Sequence, residues 1–301
     1  MSDQEIHALL ARGEGGRALE LAKEHLTAAR AKHDDAAVAE ALLDEARAMW
    51  AKGDRDDAVI AVDEAISVAR RAWGPRDVRV GEAFELGAEI AAGADMPASA
   101  DARFRTALDV LTEAGVEGAP RAHVLLHHGM FRAEQGDVGG AARAFRAALD
   151  AGRGDPTRAG RELCAGALSE MARLALDAGR DGEARELADA ALEAWVALEQ
   201  ARRYEVADAA SVVGEAALRA GEAERAEAFL ATACAIYAGC TVDVKSRRAR
   251  AEAAHGEALA ALGKVGEARD AYGRAMGLHR EGSDARVELE ERLLELARRA
   301  G

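Results

Sequence analysis

The stretch GMFRAEQGDVGGAARAFRAAL, residues 129–149, contains the pattern that decides the fold. Gly129 is followed by a turn segment that ends in Ala141, and then by the pair Ala148 and Leu149. That pair stands seven and eight residues after Ala141, a spacing that places all three residues on one face of a helix. Gly136 opens the turn segment, and glycine commonly follows the last residue of a helix. The stretch therefore predicts two helices joined by a tight turn.

The same pattern recurs seven times along the 301 residues. The alanines that end the turn segments follow one another at spacings of 40, 42, 41, 43, 42 and 42 residues. These alanines are Ala18, Ala58, Ala100, Ala141, Ala184, Ala226 and Ala268. Twelve residues before each one stands a small residue, except in the first repeat, where Ile6 takes the place. A helical hairpin with one apolar face cannot bury that face alone, so successive hairpins are predicted to stack.

The combination of a small residue, a turn glycine, a fixed alanine and an alanine–aliphatic pair resembles the tetratricopeptide repeat (TPR), in its longer variant of about 42 residues. Kinesin light chains and many bacterial regulators carry that variant. The segment 73–78 is similar to the loop that joins repeats in this group. The resemblance implies an all-α fold, a right-handed α-α superhelix (solenoid) of about seven helix-turn-helix repeats. The predicted repeats are 1–33, 34–74, 75–117, 118–154, 155–199, 200–240 and 241–282, with a C-terminal capping helix over 283–301.

Three places depart from the pattern. Repeat 1 has Ile6 at the small position and a first helix of only about ten residues, so we expect it to be a frayed cap. The third turn contains Asp95 where the other turns have glycine, and Pro97 is predicted to begin the next helix. Cys234 replaces the aliphatic residue of repeat 6 and is expected to be a small core residue.

Charge and composition limit the classes of partner. The formal net charge is −14, which disfavours nucleic acid because phosphate neutralisation needs a basic surface. A basic or neutral partner fits better. The sequence has no Asn and five Lys, so the asparagine ladder and the carboxylate clamp of Lys and Asn that some TPR proteins use are not expected.

The sequence also predicts the compartment. Its three cysteines have no paired short spacing, so a reducing cytoplasm is expected and neither a disulfide framework nor a zinc knuckle is indicated. The N-terminus lacks the basic and apolar regions of a signal peptide. No apolar run reaches the roughly 18 residues that a membrane span requires. We therefore expect neither secretion nor membrane insertion.

The TPR resemblance implies which residues bind a partner, because the first helix of each repeat lines the concave surface of a TPR superhelix. The turn register then gives these candidate partner-binding residues: Glu40, Arg47, Trp50, Glu82, Glu85, Glu89, His123, Leu126, Met130, Arg173, Glu215 and Arg250. Leu176 and Leu218 are further candidates for apolar contacts, together with Trp50, Leu126 and Met130. An alternative for Trp50 is packing against the next turn.

The three glutamates of repeat 3 give the sharpest local signal. Glu82, Glu85 and Glu89 share one helical face and repel one another unless a cation is supplied. A basic segment of a partner could supply it. Alternatively the glutamates form a solvated face that Arg47 or Arg173 partly neutralises.

Catalytic and metal-binding motifs are sparse. His123 and His127 lie one helical turn apart and could meet one metal ion, but the sequence places no further ligand beside them, so no metal and no cofactor are expected. His127 and His128 are adjacent and cannot face the same side of a helix. No phosphate-binding loop, nucleophile elbow or zinc-protease motif occurs. The chain is therefore predicted not to be an enzyme.

These observations predict a cytoplasmic, bacterial scaffold or adaptor. Its acidic concave groove would bind a peptide or helix of another protein through a basic or amphipathic segment, with no nucleic-acid or membrane partner. The chain itself would be a monomer or a weak homo-oligomer. Two alternatives are a self-assembling structural protein and a peptide-sensing regulatory module.

Overall fold

The structure, a computed structural model, describes residues 2–198, 203–240 and 244–300, and the regular secondary structure in these ranges is helical throughout. The chain divides into two compact units, Met1–Gly154 and Asp155–Gly301, called unit 1 and unit 2 here. Unit 1 contains α1 (Ser2–Ala11), α2 (Gly15–Ala31), α3 (Asp35–Lys52), α4 (Arg55–Trp73), α5 (Val78–Gly93), α6 (Pro97–Glu113), α7 (Ala119–Glu134) and α8 (Val138–Arg153). Unit 2 contains α9 (Arg158–Asp177), α10 (Asp181–Val196), α11 (Arg203–Arg219), α12 (Ala223–Ala238), α13 (Lys245–Ala261), α14 (Val265–Leu278) and α15 (Asp284–Ala300).

Each helical pair is joined by a turn that passes through a positive φ angle, which side chains other than glycine rarely adopt. Glycine takes this conformation in six turns, with Gly53 at φ 95° as the most extreme. In the third turn Asp95 takes it instead, at φ 59°, and α6 begins at Pro97. The predicted turn pattern and its irregular third member are both confirmed.

Small residues on the first helix of a pair let the second helix approach closely. A Cβ atom added to Gly129 would lie 2.5 Å from the Phe145 ring, and one added to Gly256 would lie 2.7 Å from the Tyr272 ring. The seven fixed alanines are all fully buried. Ile6, the large residue at this position in repeat 1, is also fully buried and packs in one apolar cluster with residues of α2.

The first helices of successive pairs lie side by side. In unit 1, α3 contacts α1 and α5, and α5 contacts α7; in unit 2, α11 contacts α9 and α13. Within the described residues, no two second helices of neighbouring pairs make a comparable set of contacts. The first helices of the pairs therefore line one side of each unit. The residues that these helices expose to solvent on that side are called the A-helix surface here.

The last helix covers the end of unit 2. Leu289 and Leu296 of α15 are buried in the apolar cluster that also contains Leu259 and Tyr272. Val287 and Leu294 on the same helix are 46% and 59% exposed. None of the described helices is long and apolar enough to cross a membrane.

Candidate functional site

Four side chains of α5 and α7 meet on the A-helix surface of unit 1, and we call Glu85, Glu89, His123 and His127 the His–Glu cluster. Oε1 of Glu85 accepts a hydrogen bond from Nδ1 of His123 at 2.7 Å and lies 3.3 Å from Nδ1 of His127. The same nitrogen of His127 lies 2.6 Å from Oε1 of Glu89. The centroids of the two imidazole rings are 4.2 Å apart. Glu85 is only 8% exposed, so this carboxylate is at the buried centre of the cluster.

Two of the three glutamates of repeat 3, Glu85 and Glu89, are thus paired with histidines of α7 in the same chain. Sequence reasoning had named Arg47 as one candidate cation, but Arg47 pairs with Asp44 at 3.2 Å. Its charge still stabilises the ionised form of Glu82. Arg173, the other candidate, lies in unit 2, where its charge acts on Asp208.

The electrostatics of the cluster favour a positive charge at the imidazole of His127. Burial acts to raise the pKa of Glu85, but the hydrogen bonds from the two histidines outweigh it and lower that pKa. Burial acts to lower the pKa of His127, but the contacts with Glu85 and Glu89 outweigh it and raise that pKa to about 10. Glu82 lies at the edge of this group, where burial and the charge of Glu85 raise its pKa.

The cluster also has the composition of a metal site. One ligand atom from each of Glu85, His123 and His127 lies within 4.8 Å of the other two. Sequence reasoning found the two histidines but no third ligand, and the structure provides it in Glu85 from the neighbouring first helix. His128 points elsewhere, as predicted, because its Nε2 lies 2.7 Å from Oδ1 of Asp101 and its ring stacks on Phe104.

The remaining predicted residues of unit 1 differ in how accessible they are. Glu40 is exposed, Met130 is half-buried, and Leu126 is buried. Trp50 is half-buried and packs against the end of α5, where a Cβ atom on Gly93 would lie 2.3 Å from its ring. This is the packing against the next turn that the sequence left as an alternative to partner binding.

Unit 2 contains an open cleft of about 580 Å³ between α11, α13 and α15. Leu218, Ala253 and Leu289 are among its apolar lining residues, and the predicted residues Glu215 and Arg250 also line it. The contribution of α15 was missed, because the sequence indicated only a solvating cap. The signal in the sequence was Leu289, an apolar residue among the charges of the predicted capping helix.

Glu215 and Arg250 form a closed ion pair at the edge of this cleft. Nε of Arg250 donates to Oε1 and Oε2 of Glu215 at 3.1 and 2.9 Å, and its Nη2 donates to Oδ1 of Asp177 at 3.1 Å. The hydroxyl of Ser211 donates a further hydrogen bond to Oε1 of Glu215 at 3.3 Å. Burial acts to lower the pKa of Arg250, but the charge and hydrogen bonds of Glu215 outweigh it and raise that pKa. We call Asp177, Ser211, Glu215 and Arg250 the Arg–Glu cluster.

Leu176 does not belong to the accessible surface. Its side chain is fully buried in one cluster with Val212 and Val213 of α11, so the prediction that it offers an apolar contact to a partner is wrong. Arg173, on the same helix, is half-buried.

A second group of potential metal ligands lies in the interior of unit 2. Sγ of Cys234 and one ligand atom each of Glu252 and His255 lie within 4.8 Å of one another. Arg274 already donates a hydrogen bond to Glu252 at 2.8 Å. Burial, together with the charge of Glu252, raises the pKa of Cys234 to about 12. The thiol is thus a protonated core residue, as its place in the repeat predicted, and unsuited to act as a nucleophile.

Comparisons with known proteins identify the fold. No protein-family model matches the sequence, and no curated protein matches it. Solved structures do match: the apo form of RapI superposes with a TM-score of 0.69 at 13% identity over 98% of this chain and 85% of that chain. BtubC (BKLC) from P. vanneervenii gives 0.62 at 18% identity over 77% and 91%, respectively. A structure of nearly identical TPR-like repeats from Podosopora anserina gives 0.54 at 14% identity over 65% and 93%. This chain therefore has the all-α helix-turn-helix repeat fold of the tetratricopeptide-repeat proteins.

Proposed function

We propose that this chain is a non-catalytic scaffold or adaptor of the bacterial cytoplasm that binds a peptide or helix of a partner protein on its A-helix surface. The observation that carries the proposal is the cleft of unit 2. It presents apolar side chains from two successive first helices and Ala285 from α15, and charged side chains surround them. An amphipathic segment has the matching arrangement, an apolar face bordered by polar residues.

The charge of the chain indicates the sign of the partner segment. The net charge is −14, and the acidic residues Glu257 and Glu288 line the cleft. In the cleft itself, Glu215 is paired with Arg250, and apolar and charged side chains both line the walls. We expect a segment that combines Lys or Arg with large apolar residues, and no nucleic acid, whose phosphates the net charge would repel.

Selection from a displayed library of random helical peptides tests this function. Peptides selected on the wild-type chain should be enriched in basic and large apolar residues. Ala253→Trp, which fills the cleft, should weaken their binding at least tenfold, whereas Ala297→Trp on an exposed part of α15 should not. Glu288→Lys, which reverses the charge of an exposed lining residue of the cleft, should weaken binding of the basic peptides and leave the helices intact.

Peptides without a basic bias, or equal binding to Ala253→Trp and wild type, would contradict the proposal.

Self-assembly is a second candidate, favoured by one observation. Val287 and Leu294 lie seven residues apart on α15, which places them on one face of that helix, and both are exposed. If this face pairs two copies, the mass in solution should double and Leu294→Glu should restore the monomer. A monomeric wild-type chain at micromolar concentration excludes this candidate.

A further inference from the structure

We propose that the His–Glu cluster binds one divalent transition-metal ion, of which Zn²⁺ fits best. Nδ1 of His123, Nδ1 of His127 and Oε1 of Glu85 would be the ligands, with Glu89 as the fourth. The metal would connect α5 to α7, the first helices of two successive repeats. This inference is independent of the proposed scaffold function.

The spacing of the ligands is close to that of a tetrahedral zinc site. With metal–ligand bonds of about 2.1 Å, neighbouring ligands of a tetrahedral ion lie about 3.4 Å apart. Oε1 of Glu85 lies 2.7 Å from the ligand nitrogen of His123 and 3.3 Å from that of His127. Oε1 of Glu89 lies 2.6 Å from Nδ1 of His127. Each of these three pairs needs to separate by less than about 1 Å to admit the ion.

Two helical turns that face each other produce this arrangement. Glu85 and Glu89 are one turn apart on α5, and His123 and His127 are one turn apart on α7. Residues at this spacing lie on the same face of a helix, so each helix presents two ligands together. Glu85 closes the site on its buried side, whereas the side chains of His123 and His127 are partly exposed. The site is therefore open to solvent on one side, which gives a metal ion a path of entry.

The ligand types select the metal. Two imidazoles with carboxylates suit Zn²⁺ and its first-row neighbours, whereas Ca²⁺ and Mg²⁺ prefer oxygen ligands alone. Two carboxylates also balance the charge of a divalent ion. Within the described part of the chain, the ion pairs of Glu85 are both with histidines. Glu252, in the interior group of unit 2, is instead paired with Arg274, a fixed positive charge that opposes a metal there.

Protons and the metal ion compete for the same imidazole nitrogens. An imidazole nitrogen must be neutral to bind a metal ion, so binding releases protons.

Calorimetric titration of the metal-free full-length chain with Zn²⁺ tests the proposal, with Co²⁺ as a second probe whose visible absorption reports tetrahedral nitrogen and oxygen ligands. One equivalent should bind to the wild type. The triple variant Glu85→Ser, His123→Arg, His127→Ala should lose this binding, because it installs the residues found at the matching positions of unit 2. Cys234→Ala should retain it, since that residue belongs to the other group of potential ligands.

Three outcomes of the titration would overturn the proposed zinc site. No binding by the wild type, or undiminished binding by the triple variant, overturns the proposal. Loss of binding in Cys234→Ala places the ion in unit 2 and also overturns it. If circular dichroism shows that the triple variant is unfolded, His123→Gln replaces it. His123 has a side chain that is 48% exposed, so this change should preserve the fold and weaken Zn²⁺ binding at least tenfold.

Discussion

The His–Glu cluster of unit 1 and three residues of the Arg–Glu cluster of unit 2 occupy the same positions of the repeat. Two of these positions lie on one first helix, fifteen and eleven residues before the fixed alanine of its repeat. The other two lie on the next first helix, eighteen and fourteen residues before the fixed alanine of that repeat. In unit 1 these positions hold Glu85, Glu89, His123 and His127, and in unit 2 they hold Ser211, Glu215, Arg250 and Ala254. In both units a carboxylate of one first helix is therefore paired with a cation of the next.

What differs is the nature of the cation. The guanidinium of Arg250 carries its charge at every pH at which the protein is folded, and it cannot bind a metal. The imidazoles of unit 1 can lose their protons and then act as ligands. Arg247 of α13 follows the arginine pattern too, because its Nη1 donates to Oδ2 of Asp208 on α11 at 2.6 Å. The comparison indicates that arginine holds neighbouring first helices together permanently, whereas α5 and α7 are joined by groups that can exchange one cation for another.

The largest expected effect breaks the arginine contact. Arg250→Ala removes the main donors to Glu215, which is 9% exposed, and should destabilise α11 and α13 by about 2–3 kcal/mol. Arg250→Lys should cost about 1 kcal/mol because Lys cannot make the two-pronged contact. Hydrogen exchange of the backbone amides of these helices measures both losses locally.

Two controls bracket this result. Arg269→Ala removes an exposed surface pair with Asp270 and should change stability by less than about 0.5 kcal/mol. His123→Ala should cost less than Arg250→Ala, because Glu85 keeps His127 as a partner. Equal losses of stability from His123→Ala and Arg250→Ala would show that the arginine contact has no special structural role.

Zinc bound to the His–Glu cluster should have the second-largest effect on stability. Zn²⁺ at about one hundred times its dissociation constant should stabilise the folded state of the helices it connects by about 2.7 kcal/mol. Hydrogen exchange of α5 and α7 should slow accordingly, whereas exchange of α11 and α13 should not change. Protection that appears in unit 2 instead would point to Cys234 and His255 as ligands.

The sequence predicted the fold of the repeats well, because each signal is local. A turn glycine, a fixed alanine and a small residue act within one hairpin, and the structure has all three where they were predicted. The pairing of Glu85 with His123 and His127 was not predicted. It depends on the stagger between neighbouring first helices, about three residues along the repeat, which the period of the sequence does not contain.

Dependence on the neighbouring repeat also explains why the prediction of an accessible Leu176 was wrong. Leu176 and Leu218 stand at the same position of their repeats, eight residues before the fixed alanine. Leu176 packs in one cluster with Val212, whereas the matching residue beside Leu218 is the smaller Ala254. The cleft therefore opens at Leu218 and not at Leu176. Accessibility on this surface follows from the size of a residue in the next repeat, which no reading of a single repeat provides.

The smallest expected effect comes from transferring the His–Glu cluster into unit 2. The triple variant Ser211→Glu, Arg250→His, Ala254→His places the ligand set of unit 1 at the matching positions, and it should bind a second equivalent of Zn²⁺. We expect this second site to be the weaker one, because Ala254 is packed against Ala258 and Leu230 and leaves less room for an imidazole than His127 has. At about ten times its dissociation constant, zinc should then stabilise α11 and α13 by about 1.4 kcal/mol. Zinc-dependent hydrogen exchange in unit 2 measures this gain, with Arg250→His alone as the control that should show none. If the triple variant folds and still binds a single equivalent, the shared register is insufficient to build the site, and the surroundings of Glu85 must contribute what the four positions do not.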